Sequence, residues 1–326
     1  MEVSDKKQIW FAVLNVYAAS ETAESLWRKA EKKLKEMGLV YHGNRTGRSG
    51  NAMEITFDAC MAGYRKFLAV GGDGTAHDVL NGIAAYIDWV GESGRKVDFS
   101  EFTISVIPVG SGNDWVKSTG IPKDVRKAAE VLSTGRTGCQ DVVRVSVLDN
   151  DDKELARSYM LNVGGVGIDA RVCERVNHLK SEGKRGKILY VTSLIHAIRN
   201  RKSSVVKVFC DGEQVFEGPF YSIAFGVGKY SGGGMRQTPV AILDDGLLDV
   251  TVIPELPMRR IICEVFRLFT GTFHKVPELV ICKGKNILVC PCGDEIEPVE
   301  VDGEVVGKGK VSFQVIDSQI NIILPE

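Results

Sequence analysis

Along the first 140 residues, short apolar runs alternate with segments of helical periodicity. Residues 9–14, 67–70 and 103–107 are strand-length runs dominated by apolar side chains and predict buried strands. Between them, residues 22–37 set Leu26, Ala30 and Leu34 on one stripe, which predicts an amphipathic helix. Val79, Leu80, Ile83, Ala84 and Ile87 predict a second, and a short helix over 125–132 follows Pro122. Alternation of β and α predicts a parallel sheet with helices on both faces.

From Asp141 the pattern changes. Stretches 142–148, 158–163, 205–210, 220–225, 247–253, 286–289 and 311–316 read as strands joined by short turns, with hairpin signals at 149–153 and Asp211-Gly212. Helical spacing returns at 187–199 and 258–269. The expected architecture is an α/β N-terminal domain with a parallel sheet, residues 1–140, followed by a C-terminal β-sandwich domain, residues 141–326. The last strand can return to the first sheet.

Composition narrows the function classes. A chain of 326 residues is about twice a typical domain, in keeping with two domains. A formal net charge of -1 leaves no overall field to draw it to nucleic acid, so none is expected as a partner. Of eight cysteines only Cys282, Cys290 and Cys292 cluster, without the paired spacing of a zinc site. A core of this size needs no disulfides, so a reducing, cytoplasmic setting is expected. The apolar run near the N-terminus is too short for a signal peptide and is interrupted by Asn15. No stretch approaches the ~18 apolar residues of a spanning helix, so a soluble or peripheral protein is expected.

Two glycine loops carry the chemistry. Gly71-Gly72-Asp73-Gly74-Thr75 follows the second apolar run and opens onto a helix; Pro108-Val109-Gly110-Ser111-Gly112-Asn113-Asp114 follows the third. Glycines let backbone N–H groups approach a phosphate with no Cβ in the way, and a helix N-terminus adds its dipole. Asp73 would repel a phosphate, so its presence implies a Mg²⁺ partner or a proton acceptor. Thr75 and Ser111 offer hydroxyls, and Asn113 and Asp114 polar contacts or a helix cap. Gly165-Val166-Gly167-Ile168-Asp169-Ala170 satisfies a loose dinucleotide pattern, but it stands in the β-rich half without a βαβ unit. A P-loop and a His-Glu-x-x-His motif are both absent from the sequence, and the five histidines show no ligand spacing.

Taken in order along nearly the whole chain, these motifs resemble the diacylglycerol kinase catalytic-domain family, bacterial lipid kinases related to sphingosine kinases and more distantly to NAD kinases. The resemblance rests on Gly71 through Gly82, on Ile107 through Trp115, and on residues 162–169. Gly-Gly-Gly-Met and Asp-Asp-Gly-Leu-Leu-Asp-Val within 230–250, and Val-Asp-Gly-Glu at 301–304, complete it. It implies a kinase that transfers phosphate from ATP with Mg²⁺ to the hydroxyl of a lipid such as diacylglycerol. MgATP would lie between the domains, with lipid entering the β-rich one at a membrane surface. By position, Asn15 and the residues after it, Thr46, Gly72 to Thr75 and Ser111 would hold ATP. Asp245 would ligate a structural Mg²⁺ by its carboxylate, with the carbonyls of Leu247 and Ile242 as companions. Glu304 would accept the proton, with Asp302 beside it, and Asp73 is a rival base. The rival functions are a kinase of a soluble acceptor such as NAD and an inactive lipid- or nucleotide-binding regulator. The latter is motivated by the stretch after Asn15, which lacks the family's proline and glycine. Arg259, Arg260 and Arg267 among the apolar residues of 258–269, and Lys184, Arg185 and Lys187, are candidate contacts with anionic headgroups.

Overall fold

The computed structural model describes residues 6–15, 21–47, 51–110, 112–182, 189, 192–193, 196–197, 204–293 and 295–326. The chain begins β1 (Trp10–Leu14), α1 (Glu21–Glu36), β2 (Tyr41–Arg45), α2 (Ala52–Met61), β3 (Lys66–Gly71) and α3 (Asp73–Glu92). It continues β4 (Thr103–Pro108), α4 (Trp115–Thr119), α5 (Val125–Thr134) and β5 (Arg136–Gln140). Then come β6 (Val143–Leu148), β7 (Glu154–Met160), β8 (Val163–Gly167), α6 (Ile168–Ser181), β9 (Ser204–Cys210) and β10 (Glu213–Gly226). The remainder is β11 (Leu248–Pro254), α7 (Met258–Thr270), β12 (Val280–Gly284), β13 (Asn286–Cys292), β14 (Pro298–Val301), β15 (Glu304–Lys308), β16 (Lys310–Val315) and β17 (Ile320–Leu324). Two compact units result, Met1–Val142 with Asp317–Glu326, and Val143–Ile316.

The first unit carries a six-stranded sheet in the order β2-β1-β3-β4-β17-β5. Its strands run parallel except for β5, which pairs antiparallel with β17 at the edge. Every residue of β1 is buried, as is β3 beyond Lys66, which is why both read as continuous apolar runs: a parallel sheet is covered on both faces. On α1 the buried stripe is Ala23, Trp27, Ala30 and Leu34, while Leu26 is only half-buried. Ala30 and Leu34 of the expected stripe are thus buried, and the broad Trp27 side chain takes the core-facing place in front of Leu26. Fully burying a residue such as Leu34 contributes about 1.5–3 kcal/mol.

The second unit is an antiparallel β-sandwich-type assembly whose sheet runs β15-β14-β8-β10-β9-β13-β16-β6-β7, with β11 on β10 and β12 on β11. Strict alternation in β9 sends Ser204, Val206, Val208 and Cys210 inward. Stacked rings of Phe225 and Phe313, 3.9 Å between centroids, mark its centre. Both hairpin signals are realised: Asp149 N–H donates to the Lys153 carbonyl at 2.9 Å, and Asp211 and Gly212 adopt φ of 49° and 89°. The single strand expected over 158–163 is in fact two, β7 and β8. Asp302 makes the break, since its carboxylate accepts the Leu161 and Asn162 amides, each at 2.8 Å. The helix expected over 187–199 lies for the most part outside the described residues. Among the described residues no helix is long and apolar enough to cross a membrane.

Candidate active site

Strand order places the candidate site of the first unit. β1 is flanked by β2 on one side and β3 on the other, so the chain reverses its direction of travel across the sheet between β1 and β3. Ligands of open α/β sheets bind outside the carboxyl ends of the strands at such a point. Asn15 ends β1 there. Its amide N–H donates to Val70 O at 2.9 Å and its Nδ2 to the Thr75 hydroxyl at 3.1 Å, joining the first strand to the glycine loop after β3.

The two glycine loops lie backbone against backbone. Gly110 N–H donates to Gly71 O and Asp73 N–H to Gly112 O, both at 3.0 Å. A Cβ on Gly72 would stand 2.5 Å from Gly112 O, and one on Gly110 would stand 2.6 Å from Gly72 N. No side chain fits at either position, which accounts for both glycines. Asp73, the first residue of α3, completes the clamp. Its Oδ2 accepts from Asp114 N at 2.8 Å and its Oδ1 from Trp115 N at 3.0 Å, so one carboxylate caps the start of α4 from the other loop. Asn113 Nδ2 donates to Gly110 O at 2.6 Å, while its buried Oδ1 has no hydrogen-bond partner among the described residues. The same holds for the hydroxyl of Thr46, 2% exposed, whose amide donates to Leu14 O at 3.0 Å. Thr75 is buried. Ser111 and the stretch 16–20 after Asn15 lie outside the described residues.

In the second unit a separate network is built around the turn between β14 and β15. Asp302 holds a left-handed φ of 52° there. Its carboxylate gathers Leu161, Asn162 and, at 3.3 Å, Val163, while its own amide donates to Val163 O at 3.0 Å. Asn162 extends the network: its carbonyl accepts from Val227 and Gly228, and its Nδ2 donates to Tyr230 O at 2.7 Å. Glu304 is exposed, 3.4 Å from Asn177 Nδ2 of α6. Asn177 also donates to the Gly303 carbonyl at 3.1 Å, and Cys173 Sγ to the same oxygen at 2.6 Å.

Beneath this turn sit two acids, Glu300, which no local pattern singles out, and Asp169, which the sequence offers only within a loose dinucleotide pattern. Glu300 is 7% exposed and accepts from Gly303 N at 2.9 Å; burial holds its carboxyl well above the ordinary glutamate value. Asp169 Oδ2 accepts from Ser222 Oγ at 2.6 Å and Gln237 Nε2 at 2.8 Å, and desolvation raises its carboxyl against those two bonds. The negative charges of Asp169, Asp302 and Glu304 add to the rise at Glu300. Two carboxyls held above their ordinary values thus lie by the turn that carries the exposed Glu304.

The Asp-Asp-Gly turn differs from what the resemblance implies. Asp245 Oδ1 accepts from Leu247 N at 3.2 Å, and Oδ2 lies 2.9 Å from the Lys283 ammonium. Ile242 is 50% exposed. Among the described residues no group of three or more His, Cys, Asp or Glu side chains is placed to hold a metal ion. With both Asp245 oxygens already engaged and a cation on one of them, the arrangement does not fit a bound Mg²⁺. On α7, Arg260 pairs with Glu264 and Glu278 and Arg267 with Glu264, so two of its three arginines are neutralised locally. Phe266 and Phe269 stand out at 69% and 54% exposed. Lys184, Arg185 and Lys187 lie outside the described residues.

Comparison with known proteins bears on the family and the fold. Residues 10–145 match the model of the diacylglycerol kinase catalytic domain, and residues 162–324 that of the YegS C-terminal NAD kinase beta sandwich-like domain. A Pseudomonas aeruginosa protein named "Probable lipid kinase YegS-like" is 25% identical over 96% of this chain and 94% of its own. A diacylglycerol kinase of Staphylococcus carnosus is 23% identical with the same coverage. A crystal structure of a diacylglycerol kinase from Bacillus anthracis str. Sterne superposes with a TM-score of 0.68 at 17% identity, covering 97% of each chain. A further chain from that strain, assigned to the same class, reaches 0.75 at 22% identity over 98% of this chain and 96% of its own. The α/β domain with its parallel sheet and the β-sandwich expected from the pattern of the sequence are thus both present. With one model spanning the glycine loops and the other half of the chain, this protein belongs to the diacylglycerol kinase catalytic-domain family.

Proposed function

We propose that the chain transfers the γ-phosphoryl group of MgATP to the hydroxyl of a lipid, with diacylglycerol the first acceptor to try. The observation that carries this reading is the pair of glycine loops locked together by Asp73 beside the β1/β3 switch point. Backbone amides brought to one place by glycines, next to a helix N-terminus, form the kind of cradle that phosphates occupy. The orphaned oxygens of Thr46 and Asn113 are polar atoms waiting for a donor at the same strand ends. The names of the Staphylococcus carnosus and Pseudomonas aeruginosa relatives favour a lipid over a soluble acceptor.

In this reading MgATP supplies the phosphoryl group and the metal charge that offsets its oxygens. The loops orient the nucleotide, which is where phosphoryl transfer draws most of its rate. Glu304, presented by the Asp302-centred turn and steadied by Asn177, takes the proton of the lipid hydroxyl. The hydroxyl oxygen bonds to the γ-phosphorus as the bond to the ADP oxygen breaks. Asp73 then serves as the clamp of the cradle, its oxygens engaged with two backbone amides, and Asp302 as the pin of the turn. The exposed rings of Phe266 and Phe269 offer a contact with the bilayer that holds the acceptor.

Transfer of labelled γ-phosphate from MgATP to a panel of lipids in mixed micelles, with NAD as control, tests the proposal. Label on a lipid supports it. Label on NAD alone, or ATP bound without transfer to any acceptor, overturns it.

A further inference from the structure

The Asp-Asp-Gly turn runs directly into β11, whose register against β12 sets Asp249 opposite Lys283. Residues directly opposite in an antiparallel pair project on one face with neighbouring side chains. Lys283 therefore rises beside Asp249, its Nζ 3.0 Å from Asp249 Oδ2, a contact of charges without hydrogen-bond geometry. The same Nζ reaches 2.9 Å from Asp245 Oδ2, because the turn curls back and the Leu247 amide holds the other Asp245 oxygen. One ammonium thus meets two carboxylates at the junction of turn and strand. The side chain of Asp249 is 3% exposed and those of Asp245 and Lys283 are 24% and 29% exposed, so water screens this trio only in part.

A Mg²⁺ ion requires close oxygen ligands in near-octahedral array. Placed on Asp245 it would stand against the Lys283 ammonium, and one of the two cations would have to leave. We propose that Lys283 is the resident cation of this turn, a tethered ammonium in the place where the family resemblance implies a divalent metal. The turn is then closed at all magnesium concentrations. The chain's demand for Mg²⁺ reduces to the ion that travels with the nucleotide.

The test uses the full chain without nucleotide, so it does not depend on which acceptor is phosphorylated or on whether transfer occurs. Thermal unfolding is followed in millimolar MgCl₂ and in NaCl of equal ionic strength, for the wild type, Asp245→Asn and Lys283→Met. The wild type is expected to melt at the same temperature in both salts. Lys283→Met is expected to melt lower, by about 2–4 °C or more, and to recover part of the loss in MgCl₂ as the ion enters between Asp245 and Asp249. A saturable rise in wild-type melting temperature with MgCl₂, absent in Asp245→Asn, would overturn the proposal. So would a Lys283→Met variant that melts as the wild type does, or one whose loss MgCl₂ does not relieve. Should Lys283→Met fail to fold, the wild type and Asp245→Asn decide the matter alone.

Discussion

Removing the Asp73 carboxylate separates two roles that would look alike in an activity assay. A general base can be truncated with little structural consequence. A clamp cannot: Asp73→Ala strips the acceptor from the amides of Asp114 and Trp115, residues 5% and 1% exposed, which water reaches poorly. Each amide left unpaired costs about 1–3 kcal/mol. Asp73 itself is only partly buried, so the lower half of that range applies, and the two together come to about 3 kcal/mol. Spread over the unit it belongs to, about 3 kcal/mol lowers the melting temperature by about 6–12 °C. Asp73→Asn keeps one acceptor oxygen and should recover roughly half of that loss.

Thermal or urea unfolding of the two variants beside the wild type provides the measurement, with nucleotide affinity read separately by equilibrium binding. The clamp predicts that stability and nucleotide affinity fall together, in the order Ala below Asn below wild type. Were Asp73→Ala to unfold with the wild type, yet bind nucleotide normally and transfer no phosphate, the clamp reasoning would be refuted and Asp73 would be the base.

Other outcomes follow from the same geometry. Gly110→Ala sets a Cβ 2.6 Å from Gly72 N, backbone against backbone, and should cost about 1–3 kcal/mol in stability along with nucleotide affinity; unfolding and binding measurements check both. Glu304→Gln removes a proton acceptor from an exposed position, so turnover should fall about 10²–10⁴-fold with the melting temperature unchanged. Glu300 holds its proton more tightly folded than unfolded, so the stability it lends is whole below its ordinary 4.5 and is lost as pH rises towards the raised folded value. Glu300→Gln, which keeps an acceptor for Gly303, should therefore gain on the wild type as pH rises from that point; a stability difference independent of pH sinks the assignment. Phe266→Ser with Phe269→Ser should raise the apparent KM for acceptor presented in vesicles while leaving that for a water-soluble short-chain acceptor alone.

The framework of both units was legible because it rests on local signals. Apolar runs marked β1, β3 and β4, and Asp211-Gly212 marked its hairpin by turn chemistry alone. Edge elements escaped: β2 is largely exposed, β15 has no fully buried residue, and neither carries an apolar alternation to betray it. The break between β7 and β8 escaped for a different reason. Residues 158–163 are locally good strand, and the carboxylate that interrupts them comes from Asp302, 141 positions from Leu161.

Site residues divide along the same line. Glycines announce themselves, since a run of them after a buried strand has few other uses. Charges do not, because a charge is interpreted by its partner and the partner is seldom nearby. Asp73 reads as a metal ligand or base so long as only its neighbours are in view; its two amides lie 41 and 42 residues on. Asp245 reads as a magnesium ligand from its motif, and the ammonium it meets, that of Lys283, comes from 38 residues away across the β11–β12 pair. Glu300 looks like one more polar residue in a short strand, and its company with Asp169 appears only once β14 is laid against β8. In each case the acid was visible and its partner was not. A buried or clamped carboxylate must be paired or protonated. Finding which of the two occurs, and with what, is the step at which a fold adds information that a motif cannot hold.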